Sequence, residues 1–324
     1  MYNRVAFNEQ VVSAVKDGNF SKIAESISPY IRERIYEMSF IEQVLKVRNI
    51  ETTDLIPEEK NDTNFVYGQL EQPTDLAITM NFQGKPFTKT HNGRRYKIPL
   101  GYNSTEISSK SEQEMMAFSY DLFADLEQKE IFELHYLRDS KLIAMLNACV
   151  ALSEKTKDFD TASGTVVIHP EKAHFVEAAN ILETGDRQSM PDRKTLKCTK
   201  YLCSSTILND LALWDSVDVD TMAAELATNG WTSTRLLNKE LIVSNKNALF
   251  VEKDGNHLYD VVYALPDGDF LGEVIHVNGM EIKPEVWREN GTHNIRRRSS
   301  EYFAAGIGNY NGVSKIRLMR KYGG

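Results

Sequence analysis

The chain has 324 residues, 41% hydrophobic and 26% charged, which is enough for one large domain or two smaller ones with apolar cores. No window approaches about eighteen consecutive apolar residues, and the start, Met1-Tyr2-Asn3-Arg4-Val5, lacks a secretory pattern, so neither a membrane span nor export is expected. A net charge of -8 with interspersed signs argues against counterion-releasing capture of nucleic acid as the main task, and the three cysteines, Cys149, Cys198 and Cys203, argue against a disulfide framework.

Residues 1–50 read as an arm with helical pieces. Ile31, Ile35, Met38, Ile41, Val44 and Leu45 follow a 3.6 period, with Arg32, Glu33, Arg34, Glu37 and Glu42 opposite them. From Glu51 to Tyr102 the pattern changes to strand and turn. Leu76, Ile78, Met80 and Phe82 alternate with polar residues, and Gly84-Lys85-Pro86 and Asn92-Gly93 are turn signals, so an extended and polar hairpin is expected to project from the core. No glycine lies between Gly101 and Gly164 and no proline between Pro99 and Pro170, and the apolar stripe Met115, Phe118, Leu122, Leu126 resumes at Leu134, Leu137, Leu142, Met145 and Leu146. A long helix from a capping box at Ser111 to about Leu152, kinked at most, is the expectation, a rod of roughly 60 Å.

Beyond Lys157 the units shorten into mixed α and β. Expected strands are Thr165 to Ile168, Tyr201 to Cys203, Leu241 to Val243, Leu249 to Val251, Val261 to Leu265, Val274 to Val277 and Met280 to Val286. A helix starts at Pro170, a polar loop runs from Gly185 to Lys194, Ser205 to Trp214 and a segment capped by Asp220 are helical, and Glu301 to Leu318 closes the chain around Gly306, Gly308 and Gly312.

Motifs that carry chemistry are sparse. His169-Pro170-Glu171 has the His-x-Glu order of a zinc deaminase, but Cys198 and Cys203 lack the two-residue spacing that clamps the metal, so the segment reads as a strand end followed by a Pro-started helix. His169 and His174, five apart, do not share a helix face. Asp215, Asp218 and Asp220 lack the glycine and terminal glutamate of a calcium loop, and the Gly306, Gly308, Gly312 spacing does not match a dinucleotide fingerprint. Arg296-Arg297-Arg298 beside Glu301 reads as ion-pairing cations. No catalytic, metal or cofactor residue is assigned, and no enzymatic activity is expected.

The order of parts resembles the major capsid proteins of tailed bacteriophages with the Hong Kong 97-type fold. Arg32 to Phe40 is similar to the arm segment of phage coat families, and Phe82-Gln83-Gly84-Lys85-Pro86 with Arg94 to Pro99 is similar to their loop return. Tyr136 to Ile143 is similar to the late spine helix, and Ser204 to Trp214 with Leu236 to Ser244 to the A-domain, where Asn238-Lys239-Glu240 departs from the usual glycine and proline. Tyr302 to Asn309 with Val313 to Ile316 is similar to the closing strand pair.

The resemblance implies an α+β Hong Kong 97-type capsid fold. It divides the chain into an N-terminal arm (1–50), an extended E-loop hairpin (51–103), a spine helix of the P-domain (104–157), a mainly A-domain region (158–272) and a return to the P-domain (273–324). It also implies self-assembly through hexamers and pentamers into an icosahedral or prolate virion shell made in the host cytoplasm. The shell would enclose double-stranded DNA with weak contacts, with portal and scaffold or decoration proteins as partners and no membrane. Candidate contacts between subunits are Leu76, Ile78, Met80, Phe82, Arg94, Arg95, Arg296, Arg297 and Arg298. The alternatives are an encapsulin-type nanocompartment shell and a zinc-dependent hydrolase or deaminase.

Overall fold

The computed structural model describes residues 39–58, 63–70, 94–111, 113, 122–159, 169–189, 196–207, 231–254, 257–278, 282–289 and 293–320. Three sheets and two long helices share these residues. The short helix α1 (Ile41–Val44) leads into strand β1 (Lys46–Ile50), so the amphipathic run expected to stay helical through Leu45 turns extended one residue later. Val47 and Ile50 are β-branched and sit where a parallel partner waits.

A three-stranded ribbon follows: β2 (Ile56–Pro57), β3 (Asn64–Leu70) and β4 (Arg94–Pro99), with β3 and β4 antiparallel from Phe65 opposite Pro99 to Leu70 opposite Arg94. This is the base of the expected hairpin. Its turn signals and Leu76, Ile78, Met80 and Phe82 lie outside the described residues. The base does not stand away from the body, because Val66 and Ile98 are buried with Ile50, Ile275, Val277 and Ala304.

Strands β5 (Gly101–Ser104) and β6 (Ser108–Ser111) come next, so Ser111, expected to open the long helix, ends a strand paired with Asn294. The described helix α2 runs unbroken over Leu122–Ser153. Strand β7 (Thr156–Phe159) and helix α3 (Lys172–Ser189) succeed it. Helix α3 continues through Gly185 to Ser189, where a polar loop was expected. Its Phe175, Ala178, Ala179 and Leu182 occupy one face and are buried. That spacing of three and four is what holds the turns at Gly185 to the helix despite glycine's cost of roughly 1 kcal/mol.

The remaining strands are β8 (Lys200–Ser204), β9 (Trp231–Leu236), β10 (Lys239–Ser244), β11 (Val251–Asp254), β12 (His257–Leu265), β13 (Gly272–Val277), β14 (Lys283–Arg288), β15 (Asn294–Ile307) and β16 (Ser314–Arg320). Residues Asn247–Phe250 form a 3-10 turn ahead of β11, which displaces the strand expected at Leu249. Leu237 and Asn238 join β9 to β10 with positive φ at both positions, the geometry of a two-residue hairpin that usually takes Asn-Gly.

One sheet has six strands, in the order β1, β13, β15, β14, with β5 and β6 also on β15; another has seven, in the order β7, β16, β12, β8, β10, β9, with β11 on β12. The fourteen residues of β15 organise the first sheet. Its early half lies between β14 and the β6 and β5 pair, and its last four residues pair with β13. Helix α3 packs on the seven-stranded sheet through Phe175, Tyr201, Val262 and Ile316. The C-terminal half of α2 buries Leu142, Leu146 and Val150 with Phe40, Ile41, Val44, Val261, Tyr263 and Val274, which ties both sheets together. Each fully buried aliphatic side chain there contributes about 1.5–3 kcal/mol.

Tyr96 locks the ribbon to the first sheet. Its ring fills the space left by two glycines, since a methyl on Gly68 or on Gly308 would stand 2.4 Å from ring carbons, and its hydroxyl donates to the carbonyl of Gly306 at 3.3 Å. Gly308→Ala is expected to push the ring out and cost about 1–3 kcal/mol. Amide exchange would speed up in β3 and β4 and stay unchanged in β8 and β12. Unchanged protection of β3 and β4 would show that the ring is not the lock.

Candidate assembly surface

Helix α2 buries four polar or charged residues among its apolar ones and leaves a set of apolar side chains exposed. Glu130, His135, Arg138 and Asp139 lie on the side facing the protein, all at most 5% exposed. On the opposite side, Phe132 is 50% and Leu152 72% exposed, and Tyr136, Ala144 and Ala148, at multiples of four from Phe132, and Ala151 are exposed between them. A helix that buried only its apolar face would show neither the buried charges nor the exposed apolar side chains.

Strand β15 explains the buried charges. Side chains alternate across a strand, so Arg297, Ser299, Glu301 and Phe303 face α2, whereas Arg296, Arg298 and Tyr302 face away. Arg297 donates through Nε to Glu130 at 3.2 Å, and Ser299 donates its hydroxyl to the same carboxylate. Arg138 holds Glu301 through Nε at 3.0 Å and Nη2 at 2.5 Å, with its guanidinium 5.0 Å from the Phe303 ring centre. Asn103 of β5, opposite Glu301 in the ladder, donates to it at 2.8 Å and accepts from Lys141.

The seam continues beyond β15. Asp139 accepts from Lys246 at 2.5 Å and from Ser39 at 2.9 Å, while Arg138 Nη1 lies 4.0 Å from Glu42 of α1, itself 3.3 Å from His276 of β13. Burial pushes the Glu130 and Asp139 carboxyls up, opposed by Arg297 and by Lys246 respectively. Burial also pushes the Lys141 ammonium down, opposed by Glu301. Glu130 and Asp139 are out of water and depend on their partners, and Lys141 is half-buried.

The arginine triplet divides accordingly. Arg297 is 1% exposed and committed to Glu130 inside the chain. Arg296 lies 2.5 Å from Glu289 and Arg298 2.7 Å from Glu285, on the outer face beside Trp287 and the edge-on pair Tyr102 and Tyr302. Arg95 is exposed on β4 opposite Gln69, and Arg94 sits opposite Leu70 at the upper end of the ribbon. Arg297 is thus interior, Arg296 and Arg298 lie on the outer face of β15, and Arg95 is exposed on the ribbon.

His169 is exposed ahead of α3, and His174 packs against Phe159. Cys198 and Cys203 are buried free thiols whose pKa values burial raises, Cys198 being set beside Glu183 and Lys239. Among the described residues no group of three or more His, Cys, Asp or Glu is arranged to hold a metal ion, and no helix is long and apolar enough to cross a membrane. Asp215, Asp218 and Asp220 lie outside the described residues.

The pairings of Glu130, Arg138, Asp139, Lys141, Glu301, Asn103 and Lys246 in the seam were not anticipated from the sequence. A charged residue on a helix reads as solvated unless its neighbours in space are known, and these partners lie 38 to 198 positions apart in pairs such as Lys141 with Asn103 and Asn103 with Glu301. Arg297→Met is expected to cost about 3–5 kcal/mol in urea unfolding, because it strands a buried carboxylate. Combining it with Glu130→Leu should recover most of the loss. In the single variant the Glu130 pKa rises further above its unfolded value, so the deficit is full at neutral pH and shrinks as pH falls through that raised pKa. Equal losses in single and double variants would show that the pair is incidental.

No family model matches the sequence, and no curated protein matches it. Solved structures do. A chain from Mycobacterium phage Bobi superposes with a TM-score of 0.52 at 12% identity, over 86% of this chain and 90% of that one. The capsid of the native GTA particle gives 0.50 at 13% identity over 86% and 89%, and the capsid of the Cyanophage P-SCSP1u gives 0.50 at 10% identity over 86% and 87%. This chain is an α+β protein with the fold of these phage capsid chains.

Proposed function

We propose that the chain is the major capsid protein of a tailed bacteriophage, a structural subunit that assembles through hexamers and pentamers into an icosahedral or prolate shell around double-stranded DNA. The observation that carries this reading is the exposed apolar stripe of helix α2. Phe132, Tyr136, Ala144, Ala148, Ala151 and Leu152 give one side of a long rod a solvent-facing apolar stripe, and a stripe of that length is what a subunit buries against neighbours. The outer face of β15, with Tyr102, Tyr302, Trp287 and two paired arginines, has the aromatic and arginine composition favoured at interfaces.

The division into arm (1–50), hairpin (51–103), spine helix (104–157), A-domain (158–272) and P-domain return (273–324) belongs to the same proposal, as do assembly in the host cytoplasm and portal, scaffold or decoration partners. Arg296 and Arg298, whose partner carboxylates are themselves partly exposed, remain proposed contacts to neighbours, and Arg297 acts from within by holding α2 to β15. Nothing in this role requires catalysis.

The test is expression of the full chain followed by size-exclusion chromatography and negative-stain microscopy. Rings or closed shells are expected, with genomic DNA inside particles recovered from infected cells. A persistent monomer, with and without a co-expressed scaffold protein, would contradict the proposal.

A further inference from the structure

His174 closes the first turn of α3 with a side chain that titrates near neutrality, and it does so independently of the assembly reading. Helix α3 begins at Lys172, so Glu171 is the residue ahead of it and His174 is its third member. The Glu171 backbone N–H donates to Nδ1 of His174 at 3.0 Å, and the His174 N–H donates to the Glu171 carbonyl at 3.0 Å. The first of these bonds is the one that a glutamate or glutamine at the same position makes in a capping box. An imidazole makes it only while neutral with its proton on Nε2, because a protonated Nδ1 has no lone pair left to accept with.

The ring is also fixed from the sheet side. Its centre lies 4.4 Å from that of Phe159 on β7, with the planes tilted by 56°. The neighbouring strand β16 sets Leu318 beside Phe159 and Ile316 beside Lys157, both buried and uncharged. Two carboxylates on the same side of α3 favour a charged imidazole: Glu171 at the cap and Glu177 three positions on. Glu177 is already held at 2.5 Å by Lys157, whose ammonium lies 5.4 Å from the Phe159 ring centre. Against the charge stand the lost capping bond, the partial positive charge of the helix N-terminus and the half-buried position. Burial pushes the His174 pKa down, opposed by Glu171.

We propose that His174 is a pH-sensitive cap, holding the first turn of α3 closed when neutral and releasing it when protonated. In the opened turn the imidazole meets water and takes its proton at the ordinary value of about 6.5, whereas in the closed turn it takes one only at lower pH. The stabilisation is therefore complete above that ordinary value and is lost as pH falls through the depressed one. Opening stops at Phe175, Ala178 and Leu182, whose apolar contacts with the seven-stranded sheet do not titrate.

Hydrogen exchange of the full chain, read by mass spectrometry as protection relative to the intrinsic rate at each pH, tests this. From about pH 7.5 to about pH 5, protection of the Glu171 and His174 amides is expected to fall about fivefold, while that of Ala178 to Leu182 stays level. His174→Gln keeps an acceptor that does not titrate and should show no such fall. Constant protection in the unsubstituted chain would overturn the proposal, as would an equal fall in the variant, since the titrating group would then lie elsewhere. Slow exchange of the imidazole C2 hydrogen, followed across pH in the unsubstituted chain, reads the His174 pKa and decides even where the variant folds poorly. A value below the ordinary one is expected, and a value at or above it would overturn the proposal.

Discussion

The ionic seam between α2 and β15 is the constraint from which the rest of the structure follows. Glu130 with Arg297, Arg138 with Glu301 and Asp139 with Lys246 take charges out of water, which is costly unless every partner is in place. They do so at one register only. Shifting α2 by a single residue would rotate each charge away from its partner, and shifting β15 by one would turn Arg297 and Glu301 to the solvent. Apolar packing alone tolerates such slips more readily, so the seam fixes how the long helix lies on the sheet.

A second consequence concerns the other side of the helix. With polar groups committed inward, the outward stripe from Phe132 to Leu152 is left apolar, and the β15 face opposite α2 carries the Tyr102 and Tyr302 pair. A free monomer gains nothing from these surfaces. A subunit in a shell buries them against copies of itself, with modest contributions at each contact and repetition supplying the total. The base of the β3 and β4 ribbon is anchored by Tyr96, Val66 and Ile98.

Much of this architecture was legible in the sequence. The breaker-free stretch announced α2, and β-branched runs announced β10, β12 and β13, because local periodicity carries those signals. Strand β1 was hidden by an apolar run whose helical period continued into Leu45, and only its parallel partner β13 makes it a strand. Ser111 looked like a helix cap because capping and strand-ending sequences both favour serine, and pairing with Asn294 decided between them. The seam was illegible for a different reason: Arg138 and Glu301 are ordinary surface residue types, and nothing local to either reveals that they meet. The arginine triplet was visible, but its division between interior and exterior follows from strand alternation that could be applied only once β15 had an assigned face.

The outward stripe of α2 is the surface on which the proposed assembly depends. The most direct measurement is sedimentation of the full chain carrying Phe132→Lys and Tyr136→Lys under conditions where the unsubstituted chain forms particles. Both side chains are 38–50% exposed in the single chain, so the unfolding midpoint should stay within the small change expected of surface substitutions, about 0.5 kcal/mol each. The predicted result is a folded subunit that sediments as monomer or small oligomer. Particles of unchanged size and yield would contradict the account.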